Sequence, residues 1–363
     1  MNELDILLGV FIGVVTGIIP GLHVNLLIPF LGNTILLLGI AVSHTFFDFI
    51  PSLFLGVPDE GSAVASLPGH RLVMKGDGIK AFRATAISGF LSSLLFVLFL
   101  PLAYSILRSR LVVLVLVVLV FSLVLFSSRS IGVSIGLALA SAGLFYLFDG
   151  YLSSTAMFVA FFSGLFGIPT LINAFVSDSR IPEQVDGIPR VRISLAFLAS
   201  FLGLIAGLLP GITSSMTGLV ADLKTEMEDM ARVFLLGGIN TVYLLSSFLA
   251  IWIIGRPRSG VAIALEGHGI TLIPALFVAV SFSFLLAWFI GPWIARIYAR
   301  LVNRATNLVV MTIVSGIVIS QGGYAFLLFL ASSSLGIIAY YLRIRRTVCM
   351  SFIILPVILN YFL

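Results

Sequence analysis

Charged residues are scarce in this sequence. Only 10% of its 363 residues are charged, whereas a soluble domain carries about 25%. Apolar residues make up 60% of the chain, and the mean hydropathy is +1.20. Runs such as "LVVLVLVVLVFSLVLF" (111–126) approach the ~20 residues needed to cross a bilayer. The composition excludes an ordinary soluble protein and predicts an all-α polytopic membrane protein with roughly 10–12 membrane segments, some of half length.

Cysteine is almost absent as well. Cys349 stands alone, which excludes an internal disulfide and a thiolate metal cluster. The net charge of +5 comes from arginines at the ends of apolar segments, and there is no basic stripe or zinc pattern, so neither nucleic acid nor a bound metal is expected. The first segment has Glu3 and Asp5 on its flank instead of basic residues, which predicts a retained membrane segment and not a cleaved signal.

Three motifs occur twice in the chain, in the same order. The offset between the copies is 190 residues for the first motif, 199 for the second and 187 for the third. It rises where the second copy inserts an acidic segment (221–232) and falls where that copy lacks the polar connection 71–80. The pairs are "FIGVVTGIIPGLHVN" (11–25) with "FLGLIAGLLPGITSS" (201–215), "GVPDEGSAVASLPGH" (56–70) with "GRPRSGVAIALEGH" (255–268), and "GIPTLINAF" (167–175) with "ILPVILNYF" (354–362).

The repeat divides the chain into two membrane halves. We predict a first membrane repeat at residues 1–178, a hydrophilic linker at 179–192 and a second membrane repeat at 193–363. The proline, glycine and mixed charge of the linker are typical of an aqueous connection. Duplication with helices broken at corresponding positions is the sequence signature of a secondary transporter, and we expect the two repeats to be inverted.

The two Pro-Gly pairs are the first candidate sites. Proline inside a helix costs ~3 kcal/mol or more, and in a membrane such a break persists only where protein or water surrounds it. A helix that starts after the break offers N–H groups and partial positive charge to an anion. The alternative is a kink that lets small residues pack closely. The candidate binding residues are Pro20, Gly21, His23, Asn25, Pro210, Gly211, Thr213, Ser214 and Ser215.

The second motif pair predicts two re-entrant hairpins. In the first hairpin we expect a loop at Pro58–Gly61, a short helix at Ser62–Leu67 and an exit at Pro68-Gly69. Carboxylates at membrane depth are functional candidates, although at the surface they would only cap the short helix. The arginines of the second hairpin either neutralise those carboxylates or hold an anionic substrate. The candidates are Pro58, Asp59, Glu60, Gly61, Ser62, Arg256, Arg258 and Gly260.

Two histidines occupy matching positions at the ends of the hairpins. His70 and His268, together with Asp59, are candidates for carrying a coupling proton or ion. The alternative for each histidine is an ordinary hydrogen-bonded residue at the membrane interface.

An amide interrupts a later apolar segment. Asn240 and Thr241 follow the pair Gly237-Gly238, and the two glycines would allow the helix to unwind locally. A buried amide in a membrane either binds substrate or hydrogen-bonds a neighbouring helix, and both interpretations stay open.

At these motifs the chain resembles the large membrane subunit of tripartite tricarboxylate transporters, the TctA-like permeases, and especially their shorter archaeal members. The resemblance spans most of the chain. It rests on Gly-x3-Gly-x2-Pro-Gly at 13–21 and 203–211, on the hairpin and polar connection Pro58–Lys80, and on Gly238-Ile239-Asn240. It implies a permease with no enzymatic activity. A small membrane partner and a periplasmic binding protein also belong to the family pattern, and this sequence leaves both open.

The leading hypothesis is a secondary transporter in the plasma membrane for a small organic anion such as a di- or tricarboxylate. Coupling to a sodium or proton gradient is expected, with no other cofactor, and membrane lipids are expected partners. A homo-oligomer is compatible with this hypothesis. The alternative is a flippase for a lipid-linked phosphate such as polyprenyl phosphate, because helix N-termini also suit phosphate. An intramembrane enzyme using Asp59, Glu60 and His70, or a structural membrane protein, ranks below both.

Overall fold

A computed structural model describes residues 3–19, 24, 27, 31, 33–55, 66–126, 130–177, 181–209, 212–222, 227–254, 272–301 and 303–362. Regular structure in these ranges is helical, with no strand among them. The α-helices are α1 (Glu3–Ile18), α2 (Thr34–Phe47), α3 (Phe49–Phe54), α4 (Ser66–Met74), α5 (Gly78–Leu95), α6 (Leu100–Arg108), α7 (Arg110–Phe126), α8 (Ile131–Phe148), α9 (Ser154–Phe162), α10 (Ile168–Ser177), α11 (Ile193–Leu208), α12 (Ser214–Asp222), α13 (Asp229–Ile254), α14 (Ile273–Phe289), α15 (Gly291–Leu301), α16 (Arg304–Ser320), α17 (Gly323–Tyr341) and α18 (Ser351–Phe362).

The polytopic all-α membrane architecture expected from the sequence is confirmed. Within the described ranges, five helical segments are long and apolar enough to cross a bilayer, and six if the bent pair α14–α15 counts as one span. A further set of apolar helices is shorter, with 10–17 residues each. The five long spans are Thr34–Phe54, Gly78–Ile106, Ile131–Phe148, Asp229–Ile251 and Gly323–Tyr341.

Helices α1 and α2 run parallel at close range through a glycine face. A methyl group added to Gly13 would lie 2.5 Å from the carbonyl oxygen of Ile40, and one added to Gly17 would lie 2.7 Å from Cβ of Phe47. Both distances are too short for a real side chain, so only glycine allows this separation. The small-xxx-small pattern of the sequence therefore acts as a packing face here, as such patterns commonly do in membranes.

Helices α11 and α13 repeat the same contact in the second half. Gly203 faces the carbonyl oxygen of Ile239, and Gly207 lies against Cβ of Ser246. The glycines of the two pairs are 190 residues apart, and their partners, Ile40 and Ile239, are 199 apart. These are the two offsets read from the sequence motifs, so the packing follows the register of the predicted duplication.

The contacts of α2 and α3 with α5 show in which direction these helices run. Phe46 in α2 lies beside Gly89, in the middle of α5, whereas Phe54 at the end of α3 lies beside Gly78 at the start of α5. Helices α2 and α3 therefore run antiparallel to α5.

The direction of the second half follows from the contacts between α5 and α13. Thr85 lies against Gly237, and Gly89 lies against Thr241 one turn later in both helices, so α5 and α13 are parallel. Helices α2 and α13, which correspond in the predicted repeat, consequently run in opposite directions. Inverted repeats require this arrangement.

The helices enclose two hydrophobic cores. The larger core joins α1–α6 to α13 and α14, and the second core joins α7–α10 to α16–α18. Leu208 of α11 belongs to the larger core, while Leu209 and Met216 belong to the second. The segment from α11 to α12 therefore lies where the two cores meet.

One local prediction is wrong. The helix after the first hairpin runs from Ser66 to Met74 and continues through Pro68-Gly69, where an exit was expected. Proline is tolerated in a first helical turn because the N–H that it lacks has no intrahelical partner there. Helix α13 is likewise continuous across Gly237-Gly238, and these glycines pack against α5 instead of unwinding.

The segment 181–192, which we call the strap, has no helix but lies firmly against α4 and α5. The Gln184 side chain is buried, accepts a 2.8 Å hydrogen bond from the backbone N–H of Gly78 and donates one of 3.0 Å to the carbonyl of Val73. Asp186 accepts from Arg83 and, at 2.8 Å, from Arg296. The strap is thus held by its polar side chains, unlike the freely hydrated linker suggested by its composition.

Candidate functional site

The centre of the bundle contains a polar residue on its longest helix. Asn240 is 4% exposed and lies midway along the span Asp229–Ile251. With a rise of 1.5 Å per residue, about 16 Å of helix separates it from either end of that span. Asn240 therefore lies near the middle of the hydrocarbon layer.

A half-length helix starts at the same depth. Helix α12 begins at Ser214, beside Asn240, and its Gly218 packs against Leu236, so α12 returns antiparallel to α13. The Thr213 side chain accepts a 3.3 Å hydrogen bond from the N–H of Met216 and caps the first turn. The sequence predicted a new helix start after the second Pro-Gly pair, and α12 occupies that place.

Three side chains, from α12, α13 and the junction of α2 with α3, form a continuous series of hydrogen bonds. The Ser214 hydroxyl donates to Oδ1 of Asn240 at 3.2 Å. The amide nitrogen of Asn240 donates to Oδ2 of Asp48 at 2.9 Å and approaches the carbonyl of Thr45 at 3.4 Å. A carboxylate only accepts hydrogen bonds, so it fixes the orientation of the amide. Both the oxygen and the nitrogen of the Asn240 side chain are thereby hydrogen-bonded. These hydrogen bonds link α12 and α13 to the junction of α2 and α3.

Asp48 is the residue that the sequence analysis missed. It is 4% exposed and falls inside the span Thr34–Phe54, near the junction of α2 and α3. A carboxylate in the apolar run "FFDFIPSLFLG" (46–56) was the available signal, because ionisable residues at membrane depth are rare and are functional candidates by default.

Hydroxyl groups surround this chain. The Thr45 and Thr241 hydroxyl oxygens are 3.5 Å apart, and Thr241 donates to the carbonyl of Gly237 at 3.3 Å. Ser215 is fully buried on α12. We call Thr45, Asp48, Ser214, Asn240 and Thr241 the central polar cluster. It combines one carboxylate, one amide and three hydroxyls in the buried interior.

A buried histidine joins α1 to α2 one turn before Asp48. Nδ1 of His44 lies 3.1 Å from the Thr16 hydroxyl, which itself donates to the carbonyl of Gly13 at 3.1 Å. Because the threonine hydrogen is already used, Nδ1 of the histidine is the donor in this pair. The sequence analysis did not single out His44.

Five of the candidate residues lie together in or beside the central polar cluster: Thr213, Ser214, Ser215, Asn240 and Thr241. His70 does not belong to it. His70 lies on α4 with Nδ1 3.3 Å from the carbonyl of Leu53, which fits the alternative of a hydrogen-bonded interfacial histidine. The other candidates lie outside the described residues: Pro20, Gly21, His23, Asn25, Pro58, Asp59, Glu60, Gly61, Ser62, Pro210, Gly211, Arg256, Arg258, Gly260 and His268.

Comparisons with known proteins agree with the motifs. The sequence model of the "Tripartite tricarboxylate transporter TctA family" matches residues 4–351. An uncharacterized protein of the archaeon Methanocaldococcus jannaschii is 28% identical over 405 aligned residues, which cover 100% of this chain and 99% of the relative. No solved structure matches the chain.

Proposed function

Because the chain belongs to the tripartite tricarboxylate transporter TctA family, a family of membrane transporters, we propose that it is a secondary transporter of a small organic anion. A di- or tricarboxylate is the substrate class that the family implies. The observation that carries the proposal is the hydrogen-bonded chain from Ser214 through Asn240 to Asp48. It connects α12 and α13 to the junction of α2 and α3, and transporters of inverted-repeat architecture bind their substrates near the membrane midplane.

The start of α12 supplies the attraction for an anion. The N-terminus of a helix carries roughly half a positive charge, which attracts an anion. The Ser214 hydroxyl and the Asn240 amide lie at this terminus and can reorient toward a carboxylate. The apolar cores on both sides lower the local dielectric, which strengthens each of these interactions.

Asp48 makes a coupling cation necessary. Two like charges about 6 Å apart repel each other by about 3 kcal/mol at an effective dielectric of 20. A substrate carboxylate near Asp48 would meet this repulsion unless a proton or sodium ion neutralised the side chain. We therefore assign the coupling cation to Asp48, with the Thr45 carbonyl and nearby hydroxyls as further oxygen ligands in the case of sodium.

A ligand screen tests the substrate class. The purified protein is heated with di- and tricarboxylates, and separately with phosphates, each with and without sodium. A ligand present at 100 times its dissociation constant adds about 2.7 kcal/mol to the free energy of unfolding. The thermal midpoint of the protein should therefore be higher in the presence of a bound carboxylate than in its absence. A rise with lipid phosphates alone would support the flippase alternative and contradict the anion assignment.

Mutation of the Pro-Gly pairs tests the half-helix. Replacing Pro210-Gly211 or Pro20-Gly21 by Ala-Ala removes two residues that disfavour continuous helix and substitutes a strong helix former. We expect uptake into reconstituted vesicles to fall to background while membrane insertion is unchanged. Pro101→Ala is the matched control, because Pro101 lies in the first turn of α6 on an exposed surface. Full uptake by both double variants would eliminate the site.

A further inference from the structure

A second polar cavity lies at one end of the bundle. Its volume is about 280 Å³, and it is enclosed by the strap and by the chain around the starts of α5 and α13. Its lining combines the basic residues Lys80, Arg190 and Arg192 with the acidic residues Asp77 and Glu228 and with apolar groups that include Ile188 and Phe234. The lining is thus mixed, with three basic and two acidic side chains among apolar ones.

The cavity lies at the depth where helices enter the membrane. The candidate spans Gly78–Ile106 and Asp229–Ile251 both begin beside it, and α11 begins directly after Arg192. Lipid headgroups occupy the layer just outside the hydrocarbon core. The starts of these helices therefore place the cavity at headgroup level.

Its charges favour an anion. Lys80 lies 2.7 Å from Asp77, and Arg192 lies 3.3 Å from Glu228, so each carboxylate in the lining is matched by a cation. Arg190 is exposed and adds a further positive charge. Guanidinium groups suit phosphate oxygens, which they bind through paired hydrogen bonds.

The strap buries one polar side chain and exposes aliphatic ones. Gln184 faces the protein and is 8% exposed, whereas Ile188 is 73% and Ile193, just beyond the strap, 70% exposed. Helix α15 nearby behaves likewise, because Arg296 bonds to Asp186 of the strap while Trp293 is 71% exposed. Tryptophan and aliphatic groups displayed beside basic residues are typical of surfaces that lie in the membrane interface.

We infer that this cavity binds the phosphate headgroup of an anionic membrane lipid. Arg190, Lys80 and Arg192 hold the phosphate, and the lipid chains extend along Ile188 and Ile193 into the bilayer. The lipid is a resident of the interface, separate from any transported substrate, so the inference does not rest on transport.

Native mass spectrometry with mixed micelles tests the inference. The full chain is titrated with phosphatidylglycerol or with phosphatidylcholine, and its thermal midpoint is followed in parallel. Each basic residue near an anionic lipid surface is worth about 1 kcal/mol, which is about a fivefold change in affinity. We expect retained phosphatidylglycerol in the wild type and roughly 25-fold weaker retention when Arg190→Gln and Lys80→Gln are combined.

Arg300→Gln is the matched control, since Arg300 is an exposed arginine on α15 that does not line the cavity. It should retain the lipid at wild-type affinity. Equal binding of phosphatidylcholine, or unchanged binding by the double variant, would overturn the inference. Free glycerol phosphate serves as the third probe: stabilisation as large as that by the lipid would reassign the cavity to a soluble phosphate.

Discussion

Asp48→Asn is expected to abolish gradient-driven accumulation of substrate, with a loss of at least about tenfold. The substitution keeps the size of the side chain but removes the charge that a proton or sodium ion would neutralise. It also replaces a charge-assisted hydrogen bond to Asn240, a bond class worth about 1.5–3 kcal/mol. Substrate exchange at equal concentrations needs no net cation movement, so exchange should persist. Accumulation and counterflow in the same vesicles separate the two effects.

Asp149→Asn is the control for this experiment. Asp149 follows α8, is exposed, and lies outside the central polar cluster, so its variant should accumulate substrate normally. Full accumulation by Asp48→Asn would refute the coupling role while leaving transport itself intact. Absence of uptake by the wild type would instead count against the proposed function, so the two failures are distinguishable.

Gly207→Ala is expected to destabilise the protein by about 1–3 kcal/mol, the usual cost of an added methylene in a filled interior. The new methyl would press on the carbonyl oxygen of Tyr243 and lie 2.5 Å from Cβ of Ser246. Helices α11 and α13 must then move apart, which shifts Asn240 and weakens its bond to Asp48. The thermal midpoint and uptake should therefore fall together.

Gly136→Ala separates packing from the intrinsic preference of a helix for alanine. Gly136 lies within α8, and a Cβ there would have no neighbour within 4 Å. Alanine restricts the unfolded chain more than glycine does, so the free energy of unfolding of this variant should rise by about 0.4–1 kcal/mol. A similar change in both variants would mean that the close contact of α11 with α13 is not under steric constraint.

The sequence predicted much of the site because polar residues are conspicuous in an apolar chain. Ser214 and Asn240 were both candidates, and the structure joins them by a hydrogen bond. Asp48 lies outside the repeated motifs, whereas the carboxylates Asp59 and Glu60 belong to one of them. Asp48 aligns with Ser247 at the offset of 199, so a search guided by identical residues in both copies passes over it.

Local propensity explains the wrong prediction. Pro68-Gly69 was expected to end a helix and Gly237-Gly238 to permit local unwinding, yet both pairs lie within helices. At Gly237 and Gly238, added side chains would collide with Thr85 and Ser88, so these glycines serve close packing. Tertiary contacts outweigh local propensities of this size, which are about 1 kcal/mol for glycine.

Sequence alone determined that this chain is a helical membrane protein, and its motif spacing predicted two repeats and the start of α12 after a Pro-Gly pair. Those features follow from composition and from motif spacing, which can be read from the order of residues without knowing which helices pack together. Tertiary structure decided the opposed directions of α2 and α13, the docking of the strap, and the meeting of Asp48 with Asn240, 192 residues apart in sequence. Such pairings depend on which helix faces pack together in three dimensions, and no local pattern encodes that choice.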